Sequence, residues 1–192
     1  MRPVRVITSI CAAVLCGFAT VPSTPVVQAT SQIKTTPLIL EKNEGEQRIA
    51  RPWPGHPEPG ETIFLKVDPQ NGGSSQLVFG TADLAPGKSI ETHRHPGADE
   101  ILFLQTGTAR VRLGGVKRDV HGGATVFIPA NTWISVDNIG PDPIALTFVF
   151  SAPGFEEFIR ATSARAGEKN IPLSQVEEDQ IEKNYAHCVI YQ

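Results

Sequence analysis

The sequence predicts an all-β fold, a double-sheet jelly roll, followed by two helices. Nine short apolar runs lie between residues 62 and 150, and turns rich in glycine separate them. Many short strands with such regular spacing are typical of jelly rolls. After residue 150 the composition changes, and the apolar residues take a helical spacing.

Each predicted strand is an apolar run of four to nine residues. The nine strands are predicted at residues 62–67, 76–84, 89–93, 100–105, 109–113, 116–120, 125–128, 133–138 and 144–150. Most of the intervening turns contain glycine, in several cases beside asparagine, proline or a second glycine, which are residues that tight turns favour.

The first predicted helix covers residues 154–166. Phe155, Phe158 and Ile159 recur at a spacing of three to four residues, which indicates an amphipathic helix packed on the barrel.

The second predicted helix covers residues 174–185. Ser174 and Glu177 stand in the relation of a capping box, which marks the beginning of a helix. We expect this helix to bury Val176, together with Ile181. Both helices are interpreted as structural.

Residues 1–29 are predicted to be a secretory signal peptide. Arg2 and Arg5 form a basic end, residues 6–20 are apolar and small, and Ala29 ends a motif of small residues suited to cleavage. The alternative is an uncleaved anchor, but the apolar run is shorter than the ~18 to 20 residues of a spanning helix. The mature protein is therefore expected to be secreted or periplasmic and free of the membrane.

Four segments are predicted along the chain: a signal peptide at 1–29, an extended arm at 30–60, a β-barrel at 61–152 and a helical tail at 153–192. The arm ends in a segment rich in proline and glycine around Trp53, where no regular structure is expected. Trp53 is expected to anchor the arm to the barrel or to a second subunit. His56 in this arm and His121 in the barrel are interpreted as ordinary polar residues, with metal ligation as the alternative.

The charge of the chain excludes some classes of partner. The chain has 17 basic and 20 acidic residues, and removal of the signal peptide, which has two arginines, makes the balance more acidic. Nucleic acids and anionic membranes are therefore not expected as partners. Cys188 is the single cysteine outside the signal peptide, so no internal disulfide is predicted there.

A cluster of chemically active residues lies between Gly87 and Gly107. His93 and His95 are two residues apart, so on a strand their imidazoles point to the same face. Glu100 follows five residues after His95. Two imidazoles and one carboxylate form a ligand set that suits a divalent transition metal such as Fe, Mn, Cu, Ni or Zn.

These five positions resemble the first signature of the cupin superfamily. That signature places a glycine, His-x-His, a glutamate and a second glycine at the spacing found here. The resemblance implies a double-stranded β-helix barrel and a metal held by His93, His95 and Glu100.

The second cupin signature is matched only in part. Gly123, Pro129 and Asn138 agree with it, whereas Ala124, Asn131 and Ile134 replace its aspartate, turn glycine and histidine. The histidine of this motif is commonly a further metal ligand in the family. The resemblance therefore implies that Ile134 occupies the place of a ligand that it cannot supply.

Strand periodicity predicts which side chains point into the barrel. Glu100 shares its face with Leu102 and Leu104, and a buried carboxylate there requires a partner or a metal. The residues predicted to line the pocket are Leu102, Leu104, Ile134, Val136 and Asn138. Ile101 and Phe103 make the opposite face apolar too, which favours a homodimer that covers it.

Three functions remain open from the sequence. The first is a metal-dependent enzyme, and the resemblance implies an oxygenase, isomerase or decarboxylase acting on a small organic molecule. The second is a non-catalytic module that binds a small molecule, with weak metal binding or none, which the apolar Ile134 favours. The third is a structural or storage role, because a fold by itself does not specify a function.

Overall fold

The structure is a computed structural model that describes residues 35–54, 56 and 60–192. The predicted signal peptide at residues 1–29 lies outside these residues, so its cleavage and the export of the chain stay predictions. Neither helix in the described part of the chain has the length and apolar character needed to cross a bilayer.

Twelve strands and two helices form the described part of the chain. In chain order they are β1 (Glu46–Ala50), β2 (Thr62–Val67), β3 (Val78–Leu84), β4 (Ser89–Arg94), β5 (Glu100–Thr106), β6 (Thr108–Leu113), β7 (Val116–His121), β8 (Thr125–Ile128), β9 (Ile134–Asn138), β10 (Ile144–Phe150), α1 (Phe155–Thr162), β11 (Ser163–Arg165), α2 (Gln175–Tyr185) and β12 (Ile190–Tyr191).

The strands form two antiparallel sheets. The larger has the order β11-β1-β2-β3-β10-β5-β8, and the smaller has the order β12-β4-β9-β6-β7. Both sheets contribute to one hydrophobic core, with Leu65 and Leu104 from the first and Val111 and Val136 from the second. This arrangement confirms the predicted all-β jelly roll with two C-terminal helices.

The alternation of side chains follows the predicted strand pattern. In β5 the buried residues are Glu100, Leu102 and Leu104, whereas Ile101 and Phe103 are exposed. The period of two therefore places Glu100 inside, as predicted.

The arm contains a strand that the sequence pattern does not predict. Residues Glu46–Ala50 form β1, which pairs with β2 on one side and with β11 on the other. These residues lie before the proline-rich segment, so their backbone amides are free to join the sheet.

Helix α1 packs on the barrel through the predicted face. Phe158 and Ile159 are buried, and Phe155 packs against the core. Arg160, on the same helix, donates to carboxylate oxygens of Glu46 at 2.8 Å and Asp68 at 2.7 Å. These bonds join α1 to β1 and to the turn after β2.

Helix α2 begins with the predicted capping box between Ser174 and Glu177. The expectation that Val176 is buried was wrong, because 78% of this residue is exposed. Ile181 is partly buried and packs against the second hydrophobic cluster instead. Five residues at 3.6 residues per turn place Val176 and Ile181 on different sides of the helix, so both cannot face the barrel.

Candidate metal centre

Two histidines at the end of β4 point into the barrel. His93 lies in β4, and His95 directly follows the last residue of that strand, Arg94. Side chains alternate along an extended chain, and Arg94 accordingly lies over the Trp133 ring, 4.7 Å from its centroid. Only 5% of His93 and 2% of His95 is exposed, and their ring centroids are 4.9 Å apart.

The Nδ1 atom of each histidine is held by a backbone carbonyl. In His93 this atom donates to the Glu91 oxygen at 2.8 Å, and in His95 it donates to the Cys188 oxygen at 2.9 Å. A carbonyl oxygen only accepts hydrogen bonds, so both Nδ1 atoms carry the proton and both Nε2 atoms keep a lone pair. This is the orientation in which proteins present histidine Nε2 to a metal.

Both imidazoles are neutral at neutral pH. Burial and the neighbouring His93 lower the pKa of His95 to about 3, against the opposing effect of the Cys188 carbonyl. Burial also lowers the pKa of His93, although its hydrogen bond to the Glu91 carbonyl acts in the other direction. Neutral imidazole is the form that binds metals.

Glu100 faces the two histidines from the first position of β5. Its Oε2 atom lies 3.6 Å from the Nε2 atom of His95, and neither atom has a hydrogen-bond partner. Burial raises the pKa of Glu100 to about 8. The distance would suit an ion pair, but burial of both groups leaves them neutral in the metal-free protein.

The three side chains fit a divalent cation. Their ligand atoms all lie within 4.8 Å of one another, and each residue is buried. A cation between them would give the unpartnered Nε2 and Oε2 atoms a partner and would favour the ionised carboxylate. Among the residues that the structure describes, this is the single group of three or more such side chains with this spacing.

A cavity of about 220 Å³ opens onto this group. Its walls include five aromatic side chains, namely Trp53, Phe148, Phe155, Phe158 and Tyr191. These residues come from the arm, the larger sheet, α1 and the C-terminal strand. The three donor residues therefore adjoin a largely apolar space of the size of a small organic molecule.

Residues 80–150 of the chain match the family model of the cupin domain. The matched range contains all three donor residues and extends from within β3 to the end of β10. Residues 80–150 therefore form a cupin domain.

Two proteins with similar sequences are informative. The tetracenomycin polyketide synthase protein TcmJ of Streptomyces glaucescens is 29% identical over 122 residues, which are 59% of this chain and 81% of that protein. The dimethylsulfoniopropionate lyase DddW of Ruegeria pomeroyi is 28% identical over 80 residues, which are 42% of this chain and 51% of the lyase. The chain thus spans most of the first relative and about half of the second.

A solved structure shares the fold. The crystal structure of a predicted oxalate decarboxylase from Thermotoga maritima superposes with a TM-score of 0.53 and 17% identity. The superposition covers 60% of this protein and 100% of that chain. At this identity the likeness shows the fold alone.

The predicted lining of the pocket needs correction. Leu102 lines the cavity, whereas Leu104, Ile134, Val136 and Asn138 do not, although all four are buried. The strand period predicts the face of a side chain, but it does not predict its depth along the barrel. Leu104, Ile134 and Val136 lie where the hydrophobic core fills the interior of the barrel.

Asn138 and Asn131 have structural roles near the ends of β9. The amide of Asn138 donates to the backbone oxygens of Leu84 and Asp142, both at 2.9 Å. Asn131 adopts a left-handed backbone with φ of 65°, and its N–H donates to the His95 oxygen at 2.8 Å. Asparagine tolerates this conformation better than most residues, so the turn survives without the family's glycine.

The other two histidines considered as ligands do not join the three donor residues. His56 stacks on Trp53, and its Nε2 atom lies 3.3 Å from a carboxylate oxygen of Glu91. His121 ends β7, where its Nδ1 atom lies 3.2 Å from the hydroxyl of Thr108. Both rings are outside the cluster of donor atoms.

The C-terminal residues contribute to the site in a way that the sequence did not predict. The backbone of Cys188 orients His95, and β12 pairs with β4 so that Tyr191 lies opposite His93. Burial, followed by the charge of Glu156, raises the pKa of the Cys188 thiol to about 11, so this cysteine remains protonated. No local motif reveals these contacts, because the partners are more than 90 residues apart.

Proposed function

We propose that this protein is a secreted or periplasmic cupin that binds a divalent transition metal and acts on a small organic molecule in the barrel. The ligands are His93, His95 and Glu100. The observation that carries this proposal is the pair of buried atoms, His95 Nε2 and Glu100 Oε2, that face each other without a hydrogen-bond partner. Buried polar atoms usually have partners, and a cation between these two would serve both.

A metal held by three protein ligands has open coordination positions, which supply Lewis-acid or oxygen-dependent chemistry. The protein contributes the orientation of its donors, since the Glu91 and Cys188 carbonyls fix both imidazole rings. The aromatic walls exclude water from the substrate and strengthen electrostatic contacts inside the cavity.

The similar proteins support a small organic molecule as the substrate. One is named for its part in a polyketide synthase, and another is named a lyase of dimethylsulfoniopropionate. Both names refer to chemistry on small molecules, and the cavity volume suits such a substrate.

Metal analysis of the purified, untagged protein tests the proposal. We expect one equivalent of Fe, Mn, Cu, Ni or Zn in the wild type and less than a tenth of an equivalent in His95→Ala. His121→Ala is the matched control, because it removes an exposed imidazole outside the site and should retain the metal. Circular dichroism establishes that each variant is folded. A folded wild-type protein without metal after growth with all five metals would refute the proposed site.

A non-catalytic binding protein is the second candidate. Ile134 pairs with His93 across β4 and β9, so a fully buried hydrocarbon side chain lies beside the site where the resemblance implies a further ligand. Mass spectrometry of bound compounds before and after incubation distinguishes the two functions. Chemical conversion in the presence of metal indicates an enzyme, and an unaltered ligand indicates a binding protein.

A second copy of the chain is proposed to cover the outer face of β5 and β8. Ile101, Phe103 and Phe127 are 43%, 39% and 56% exposed there, and Ile101 pairs directly with Phe127. Burial of this apolar face would stabilise a homodimer. Sedimentation equilibrium measures the oligomeric state, and a monomer at micromolar concentration would refute the homodimer.

A further inference from the structure

The charged side chains that line the cavity are acidic. Four carboxylates contribute to the lining in addition to the buried Glu100, namely Glu61, Glu91, Glu178 and Glu182. No lysine or arginine lines it among the described residues. Glu91 and Glu182 are exposed and the other two are half-buried, so all four are more accessible to solvent than His93, His95 and Glu100.

These carboxylates are incompletely paired. Glu91 lies beside His56, and Glu178 accepts a hydrogen bond from Gln175 at 3.2 Å. Within the described parts of the chain, the carboxylates of Glu61 and Glu182 have neither a hydrogen-bond donor nor a basic partner. The cavity therefore carries negative charge that the protein itself does not neutralise.

The carboxylates also lie close enough to repel one another. Burial raises the pKa of Glu178, and the negative charges of Glu182, Asp179 and Glu91 raise it further. The side chain of Gln175 opposes this shift through its hydrogen bond. A positive group placed among these carboxylates would relieve the repulsion.

Aromatic rings line the same cavity as the carboxylates. The ring centroids of Phe155 and Phe158 are 5.6 Å apart, and those of Phe158 and Tyr191 are 5.9 Å apart. Trp53 lines the same cavity from the arm. Aromatic faces attract organic cations through their quadrupoles, and carboxylates add a direct charge interaction.

The floor and the volume of the cavity also indicate a bound ligand. His95 Nε2 and Glu100 Oε2 are unpartnered, and their side chains are only 2% and 6% exposed. The volume of about 220 Å³ exceeds that of a cavity of roughly 150 Å³ that holds benzene, so one ring with a short substituent fits.

We propose that the molecule bound in this cavity is an organic cation, a protonated amine or a quaternary ammonium carried on an apolar body of about one ring. Its apolar body packs against the aromatic walls, and its positive group lies among Glu61, Glu91, Glu178 and Glu182. An organic acid is disfavoured, because these four like charges repel its carboxylate. This inference rests on the proposed function, since it takes the same cavity as the substrate site.

Three single-ring compounds of different charge test the inference. Benzyltrimethylammonium, benzyl alcohol and benzoate are titrated by calorimetry at pH 7.5 and low ionic strength, where surface charges are weakly screened. Each titration uses the chelator-treated protein and the zinc-loaded protein, because a bound metal would by itself attract benzoate. We expect the cation to bind at least ten times more tightly than benzoate, with the alcohol between them.

The double variant Glu61→Gln with Glu182→Gln removes the two unpaired carboxylates. Each of these solvent-accessible charges contributes a factor of about three to affinity, so the preference for the cation should fall about tenfold. The control is Glu41→Gln with Asp83→Asn, which removes two exposed carboxylates outside the cavity lining and should leave the preference unchanged. Circular dichroism and melting curves establish that both double variants are folded.

The outcomes separate this inference from the proposed metal site. If the protein binds no metal but still prefers the cation, the inference stands and the metal-dependent function fails. If metal binds but benzoate binds most tightly to the chelator-treated protein, the inference is overturned and the metal site stands. A cation preference that survives in the cavity double variant, or the absence of binding by all three compounds, also overturns the inference.

Discussion

Replacing Glu100 with glutamine separates the cost of burying this carboxyl group from its proposed role as a metal ligand. Only 5% of Glu100 is exposed, and burial raises its pKa from 4.5 to about 8. At pH 7 the metal-free folded protein therefore holds this group mainly protonated, whereas the unfolded chain ionises it. Glutamine has nearly the same shape and does not ionise, so the variant removes this difference.

The sign and size of the effect follow from proton linkage. Below about pH 4.5 both states of the wild type carry the proton, and Glu100 costs no stability. Above this pH only the folded state carries it, so the free energy of unfolding falls by about 1.4 kcal/mol per pH unit. The loss reaches about 3 kcal/mol at pH 7 and is complete, at about 5 kcal/mol, above pH 8.

The metal-free variant should therefore be more stable than the metal-free wild type at neutral pH. The unpaired amide of the glutamine costs about 1 kcal/mol, which leaves a net gain of about 2 kcal/mol at pH 7. For a domain of this size the gain corresponds to a melting temperature about 5 °C higher. The lowered pKa values of His93 and His95 affect the stability of both proteins alike. The difference in stability between the two proteins therefore measures the effect of Glu100.

Urea unfolding of chelator-treated protein at pH 5, 7 and 8.5 measures this difference. Added zinc should reverse the order, because it stabilises the wild type and has little effect on Glu100→Gln. Glu41→Gln is the control for a carboxylate on the surface, and it should behave as wild type throughout. A metal-free Glu100→Gln protein that is less stable than wild type, with a gap independent of pH, would refute the raised pKa. Equal stabilisation of both proteins by zinc would show that Glu100 is not a ligand.

Two further predictions concern the ion pairs of Arg160 and the side chain at position 134. Arg160→Ala should lower the free energy of unfolding by about 3 to 5 kcal/mol in urea denaturation, because it leaves the fully buried Asp68 without its cation. Arg160→Lys should retain part of this stability. A loss below about 1 kcal/mol in the alanine variant would contradict a structural role for the ion pairs of Arg160. Ile134→His should raise zinc affinity about tenfold in calorimetry while destabilising the metal-free protein by about 1 to 3 kcal/mol through an unpaired buried imidazole. An affinity equal to wild type would contradict the alignment of Ile134 with the histidine of the second cupin motif.

The donor residues were predictable because they lie within eight positions of one another. His93 and His95 share a face by the period of two, and Glu100 reappears inside the barrel at the first position of β5. A short segment can present all three side chains because β4 and β5 are connected by a brief turn. The inward direction of Glu100 follows in the same way from the apolar residues that alternate with it.

The sequence did not predict the surroundings of residues that depend on contacts with distant parts of the chain. Ile134 and Val136 were correctly predicted to be buried, but periodicity could not show that they lie in the packed core and outside the cavity lining. Val176 has an apolar side chain and yet is exposed, because α2 presents another side to the barrel. Burial of a single helical residue depends on how the helix docks, which local sequence does not specify.

The sequence by itself determined the all-β class, the two terminal helices and the three donor residues, since each depends on spacing over a few residues. Only the tertiary structure decided how the site is completed. It brings the Cys188 carbonyl to His95 across 93 positions, and it places Tyr191 and Trp53 around one cavity. The physical reason is that hydrogen bonds and cavity walls between distant segments depend on the path of the whole chain, whereas strand period and motif spacing are local properties.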